Sequence, residues 1–298
     1  MGSVSKRLLE NVGGAALTRL QSSLVKKPPN KVERIGERLG RLFFRLGTRR
    51  RERAIANLSI GFPDMSSADR SKLALQVFEH FGRTSADFLA SKGRTKQDIE
   101  ATTEIMGIEN IEKALAMGKG VLLITGHFGH WERASAWMSL AGYPLSVIIR
   151  DADQKGVNQV VNELRSEPGT AVIPRGNSAR QILGKLRANE IIGILPDQNA
   201  EDAFLPFFGK PAGTNLGAGV IQERTGSAVL PVYCVYLGNG RYKMVFDNLL
   251  VPLPGFETKG EGLLRAINSW LEGVIIEHPD QWLWFHDRWR NAREAGLL

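Results

Sequence analysis

The chain of 298 residues holds a single cysteine, Cys234, so no disulfide can form within it, and a reducing, cytoplasmic setting is expected. Within the apolar run AVLPVYCVYL that cysteine reads as a small core residue. No run of 18 or more uninterrupted apolar residues occurs, which excludes a spanning helix on hydropathy grounds. A secretory h-region is missing too: Glu10, Asn11 and Arg19 interrupt the apolar residues near the N-terminus. Internal repeats, low-complexity tracts and a GxSxG nucleophile elbow are all lacking, the last arguing against a serine esterase. His127, His130 and Glu132 stand at HxxHxE spacing, but no distant cysteine or further ligand joins them, so no metal is expected.

Basic excess is also lacking over most of the chain. Residues 1–53 carry fourteen Lys/Arg against four Asp/Glu, whereas the remainder carries 25 against 27. The formal charge of +8 therefore belongs to one N-terminal arm. After Pro28-Pro29, the segment KVERIGERLGRLFFRLG repeats at helical spacing. Ile35, Leu39, Leu42, Phe43 and Leu46 share one face, and Arg34, Arg38, Arg41, Arg45 and Arg49 run beside it. Such a helix suits an anionic bilayer surface. It also suits an ordinary packed helix with a solvated arginine edge. Nucleic acid is a poor partner, because only Phe43 and Phe44 interleave the densest basic run.

SSADRSKLALQVFEHFG predicts a capped helix starting at Ser66 or Ser67, in which His80 has a surface or packing role. From Gly120 onward, short apolar runs (VLLIT, LSVII, TAVIP, EIIGILP) alternate with helical segments of about a dozen residues. The expected fold class is α/β, a mostly parallel sheet flanked by helices on both faces. The last two strands are joined through Leu237-Gly-Asn-Gly240 as a hairpin. A basic amphipathic helical arm, residues 1–55, is expected to precede one α/β domain, residues 56–298.

The stretch GVLLITGHFGHWE ends a strand on a glycine and follows it with chemistry-bearing side chains. Ligands of open α/β sheets bind beyond the carboxyl ends of the strands, where His127 would stand. If Gly126 and Gly129 turn the chain and a helix begins near His130, Glu132 can fold back toward the imidazole. It would hold one ring nitrogen and leave the other to take a proton from a hydroxyl. Imidazole, titrating near ~6.5, suits that work at neutral pH. The bland alternative is a buried histidine at a strand end with a solvated Glu132. Trp131 and Trp137 read as packing. Arg150, Arg175, Asp197 and Gln198 follow other strands and are expected on the same sheet edge, with Glu201 close by as a possible second acid.

GHFGHWE resembles the His-x4-acid signature of the lysophospholipid acyltransferase superfamily. It is most similar to the GHxGNWE form of the bacterial lipid A biosynthesis (late) acyltransferases and the related phosphatidylinositol mannoside acyltransferases. Further blocks agree in order: RERAIANLSIGFPDMS, VIIRDAD, GILPDQNAEDAFLPFFGKPAGTNLG and HPDQWLWFHDRWR. The likeness runs from about residue 30 to 291 and departs at His130, where the family usually has asparagine.

The resemblance implies transfer of a fatty acyl group from a thioester of acyl carrier protein or coenzyme A to a lipid hydroxyl, with no cofactor. It places the enzyme at the cytoplasmic face of the bacterial inner membrane, on an anionic surface. His127 would then be the base and Glu132 its partner, with Arg150 binding a headgroup or developing charge. Gly126 and the loop N–H groups after it would serve as oxyanion donors. Two other readings stay open: a lipid ester hydrolase using the same pair, and a non-catalytic membrane-binding protein.

Overall fold

The structure is a computed structural model describing residues 3–149, 155–174 and 178–298, with backbone alone for residues 3–13, 155 and 178. Four helices come first: α1 (Ser3–Leu24), α2 (Pro29–Leu46), α3 (Thr48–Gly61) and α4 (Ser67–Leu89), followed by the short α5 (Lys96–Glu100). Then strands and helices alternate: β1 (Thr103–Met106), α6 (Ile108–Ala116), β2 (Val121–Ile124), α7 (Trp131–Leu140), β3 (Leu145–Ile149), α8 (Lys155–Ser166), β4 (Ala171–Pro174), α9 (Ser178–Arg187) and β5 (Ile191–Ile194). The chain continues through β6 (Ala203–Phe207), β7 (Lys210–Thr214), α10 (Gly217–Thr225), β8 (Ala228–Gly238), β9 (Arg241–Phe246), α11 (Glu261–Glu277) and α12 (Arg290–Glu294).

Seven strands form one sheet in the order β1-β9-β8-β2-β5-β3-β4. Every pair in it is parallel except β8–β9, the hairpin expected around Gly238–Gly240. β2 lies between β5 and β8, and its four residues are all buried. Helices cover both faces, so the α/β class and the parallel sheet stand as expected. The elements α5, β1 and α6, ahead of Gly120, escaped the sequence reading, and so did one hairpin. The glycine- and proline-rich stretch after Asp202 forms a separate antiparallel hairpin, β6–β7, turning at Phe208 and Gly209.

The N-terminal arm is packed onto the body. α2 crosses α4 at glycines: a Cβ on Gly40 would lie 2.1 Å from the Phe78 carbonyl, and one on Gly82 would lie 2.1 Å from that of Gly36. Two helices approach this closely only where side chains are absent. Val32, Gly36 and Gly40 form the buried face, leaving Leu39, Leu42, Phe43 and Leu46 exposed. The division expected at residue 55 falls inside α3, which runs through it unbroken. Its Asn57 is fully buried and donates to the carbonyls of Trp284 and His286, tying the arm to the C-terminal tail.

Candidate active site

β2 delivers the chain to the sheet's carboxyl edge, and Gly126 follows one residue after Thr125. A Cβ on Gly126 would sit 3.2 Å from Asp197 Oδ2, so its bareness makes room for that carboxylate. Gly129 has φ +58°, and its Cβ would lie 2.0 Å from the Cys234 carbonyl, a turn open only to glycine. The loop between them is pinned from three sides. Gly129 N–H donates to Gln281 O (2.8 Å), and Leu283 N–H donates to His127 O (3.1 Å), zipping the C-terminal tail onto it. His130 N–H donates to Cys234 O (2.7 Å). From α4, His80 Nε2–H donates to Gly129 O (3.1 Å). His80 is therefore not a surface residue: it is fully buried and braces the loop.

The partner of His127 is Asp197, not Glu132. His127 Nδ1–H donates to Asp197 Oδ1 at 2.8 Å, and the His127 amide donates to Oδ2 at 2.8 Å. The Trp282 indole gives Oδ2 a further hydrogen bond at 3.0 Å. Asp197 is 3 % exposed. Burial alone would push its carboxyl up, but the charge and hydrogen bonds of His127, joined by Trp282, outweigh that and hold it at about 2. The carboxylate thus fixes the Nδ1–H tautomer and leaves the Nε2 lone pair as the acceptor, where the Gln198 amide donates to it. Gln198 Nε2 lies 3.3 Å from it, and the Trp131 ring stands edge-on to the imidazole with centroids 5.3 Å apart.

Glu132 faces the other way because α7 begins at Trp131, placing Glu132 in its first turn against α8. Both its oxygens accept from Arg165 Nε, at 3.0 and 3.1 Å, and Oε1 also takes Arg165 Nη2 and the Trp131 indole (3.0 Å). Glu132 therefore holds a guanidinium and the indole that packs on His127. His130 caps α7: its Nδ1 accepts the Arg133 amide (3.2 Å) while Nε2–H donates to Asp87 (2.8 Å). Burial keeps this imidazole below its ordinary range.

His127, Trp131, Glu132, Arg165, Gln198 and Asn199 share one cavity of about 540 Å³. Of the loop amides expected as oxyanion donors, three are engaged: that of His127 on Asp197, that of Gly129 on Gln281 and that of His130 on Cys234. The cavity is also lined by the Gln198 side chain, whose amide meets His127 Nε2, and by Arg165, whose guanidinium is paired with Glu132. Glu201 is exposed. Arg150 and Arg175 lie outside the described residues. His286 accepts the Asn199 amide (3.1 Å), and Arg288, fully buried, binds Gly213 O and Thr214 Oγ1, so both anchor the tail. Phe207 packs on Trp282 and Trp289. Arg165 carried no signal in the sequence, being one arginine in the last turn of an amphipathic helix.

A family profile described as bacterial lipid A biosynthesis acyltransferase matches residues 12–291. Among known proteins, the lipid A biosynthesis palmitoleoyltransferase of Escherichia coli (strain K12) is 25% identical over 266 residues, covering 88% of this chain and 85% of that one. The lipid A biosynthesis lauroyltransferase of the same strain is 24% identical over 279 residues, covering 91% and 89%. A phosphatidylinositol mannoside acyltransferase of Mycobacterium tuberculosis (strain ATCC 25618 / H37Rv) is 24% identical over 193 residues, covering 62% and 59%. The match spans the basic helices, the His127 loop, the Asp197 strand end and the aromatic tail alike, and the chain belongs to the bacterial lipid A biosynthesis acyltransferase family, as an O-acyltransferase.

Proposed function

We propose that this enzyme moves a fatty acyl group from an acyl thioester, on acyl carrier protein or coenzyme A, to a hydroxyl of a lipid A precursor or related glycolipid. The observation that carries this reading is the 2.8 Å His127–Asp197 hydrogen bond, which leaves Nε2 as the acceptor nitrogen at a cavity, where an incoming hydroxyl would displace the Gln198 amide. The acceptor hydroxyl gives its proton to Nε2 as its oxygen bonds to the thioester carbonyl carbon. Asp197 stabilises the imidazolium so formed. The carbonyl oxygen takes up the negative charge, within reach of the Gln198 amide and the Arg165 guanidinium. As the C–S bond breaks, the thiolate leaves and recovers the proton from Nε2–H. No cofactor enters this sequence.

The enzyme works peripherally at the cytoplasmic face of the inner membrane. Support comes from α2, whose exposed Leu39, Leu42, Phe43 and Leu46 lie beside a row of arginines. No helix of the described residues is long and apolar enough to cross a membrane. The basic arm also suits an acidic carrier protein. Relatives are named for different acyl groups (lauroyl, myristoyl, palmitoleoyl), so kinship leaves the transferred chain open.

The test is incubation of the purified protein with radiolabelled acyl-coenzyme A or acyl carrier protein and vesicles bearing a lipid A precursor, read by mass spectrometry. One added acyl mass on the lipid, absent in His127→Ala, is expected. Free fatty acid as the sole product would make the enzyme a hydrolase.

A further inference from the structure

A second cavity lies away from His127, where α1, α2 and α4 meet. It encloses about 270 Å³, and Leu20 and Leu24 of α1, Leu39 and Phe43 of α2 and Phe81 of α4 help to line it. Ser85 brings the one polar side chain among its lining residues. The space has a cause in the sequence. Gly82, Ser85 and Ala86 stack at helical spacing on one face of α4. These small residues leave room beside the crossing where Gly40 meets the Phe78 carbonyl.

Three observations say what fills it. Walls of hydrocarbon give water few partners, and an apolar void of about 150 Å³ already takes up benzene. The groove also runs into the exposed apolar stripe of α2, since Leu39 and Phe43 belong to both and are 43% and 41% exposed. A chain leaving a bilayer met by that stripe enters without crossing water. The rim, thirdly, is basic. Arg19 precedes Leu20, Arg38 precedes Leu39, and Lys26 and Lys27 closely follow Leu24, all four bases being exposed. Among the described residues, the arm's ion pairs join Arg41 to Glu37 and Glu79, and Arg53 to Asp287. The four rim bases are left for an outside anion.

The groove also backs onto the catalytic machinery. Phe81 packs on Phe285, with centroids 5.2 Å apart, and on Trp131 at 6.0 Å. Trp131 in turn stands on the His127 imidazole. Phe285 precedes His286, which holds the Asn199 amide at the catalytic cavity.

Resting on the membrane reading of α2, and not on the chemistry at His127, we propose that this groove holds one acyl chain of an anionic bilayer phospholipid, its headgroup against the basic rim. The chain lies on Phe81, one ring from Trp131 and two from His127. Docking of a single lipid therefore sets the bilayer surface beside the catalytic cavity, which charge spread along the arm cannot do by itself.

Calorimetric titration of the full chain with dihexanoyl phosphatidylglycerol, kept below its micelle concentration, reads the site without a bilayer and without catalysis. Saturable binding of one lipid is expected. It should be tighter than that of dihexanoyl phosphatidylcholine by about fivefold for each base that meets the headgroup. Ser85→Phe fills the groove from an exposed position and should weaken binding by about tenfold or more. A greasy surface contact would gain from the added ring, so a loss isolates the groove. Ser85→Gln puts an amide among the hydrocarbon walls, should also weaken binding, and serves if the phenylalanine variant does not fold. Wild-type affinity in both variants, or equal affinity for the two headgroups, overturns the assignment. Sedimentation with phosphatidylglycerol vesicles separates this site from the membrane reading. Wild-type protein that sediments yet shows no saturable binding of the monomeric lipid would remove the groove and keep α2 at the bilayer. Saturable binding lost in both variants, without sedimentation of the wild type, would keep the lipid site and remove the bilayer.

Discussion

A histidine acts as a base when one nitrogen is tied and the other faces the substrate, and the residue that ties it sets the cost of its loss. At His127 that residue is Asp197, held by three donors. Asp197→Asn replaces the carboxylate with an amide that stabilises the imidazolium less and permits the wrong tautomer. Transfer by that variant should fall by about 10²–10⁴ in kcat, with the fold intact by circular dichroism. Glu132→Gln leaves the His127–Asp197 pair in place and should cost less in kcat, acting through Arg165. Its loss should appear largely in KM for the charged substrate. Equal collapse of kcat in both variants would restore Glu132 to a direct role on the imidazole. The position of His127 just past a strand end was legible because strand, glycine and imidazole are contiguous. The partner was missed because the acid lies 70 residues away. Only the adjacency of β2 and β5 brings Asp197 to Nδ1, and spacing within GHFGHWE carries no trace of that.

Among elements, α2 shows what pattern alone conveys and what it conceals. The apolar stripe and the arginine row were legible at helical period. The packing face was not, because it is made of Gly36 and Gly40, which hydrophobic periodicity does not register. Leu42 and Leu46 thereby face away from the core, Leu46 being 73% exposed, while Phe43 keeps an edge against Phe78. Leu42→Glu with Leu46→Glu should weaken sedimentation with anionic phospholipid vesicles by tenfold or more, since it removes apolar burial and adds like charge. Thermal stability should barely move, because neither side chain is buried. Unchanged vesicle binding would show that α2 does not meet the bilayer. The β6–β7 hairpin was concealed for a different reason. Its turn places Phe208 at φ +51° beside Gly209 at φ +67°, a conformation that phenylalanine does not advertise. Packing supplies the compensation: Phe208 rests on Phe62, Phe207 and Trp284.

At the scale of the molecule, distant parts of the chain converge on one loop: His80 from α4, Gln281 to Leu283 from the tail, and Asn57 from α3 through that tail. Several of these ties use imidazoles kept neutral by burial, which makes the assembly sensitive to acid in a calculable direction. In the unfolded chain a histidine takes up its proton as pH falls through about 6.5. In the folded protein burial, aided by nearby Arg83 and His130, keeps His80 neutral down to about 3. His286 behaves alike down to about 4, burial outweighing the attraction of Asp197. Between those values the unfolded state binds more protons, so stability is full above pH 6.5 and drains as pH falls. Asp197, depressed to about 2, has the same sign but a lower window, holding its contribution until pH drops below the ordinary carboxylate value. Urea midpoints should therefore fall well before the carboxylates titrate. His80→Gln keeps an N–H to offer Gly129 but cannot be protonated. It should remove about 2 kcal/mol of the stability difference between pH 7 and pH 5, given about 1.4 kcal/mol per proton per pH unit. A glutamine variant as acid-sensitive as the wild type would place the proton uptake elsewhere, in His130 or His286.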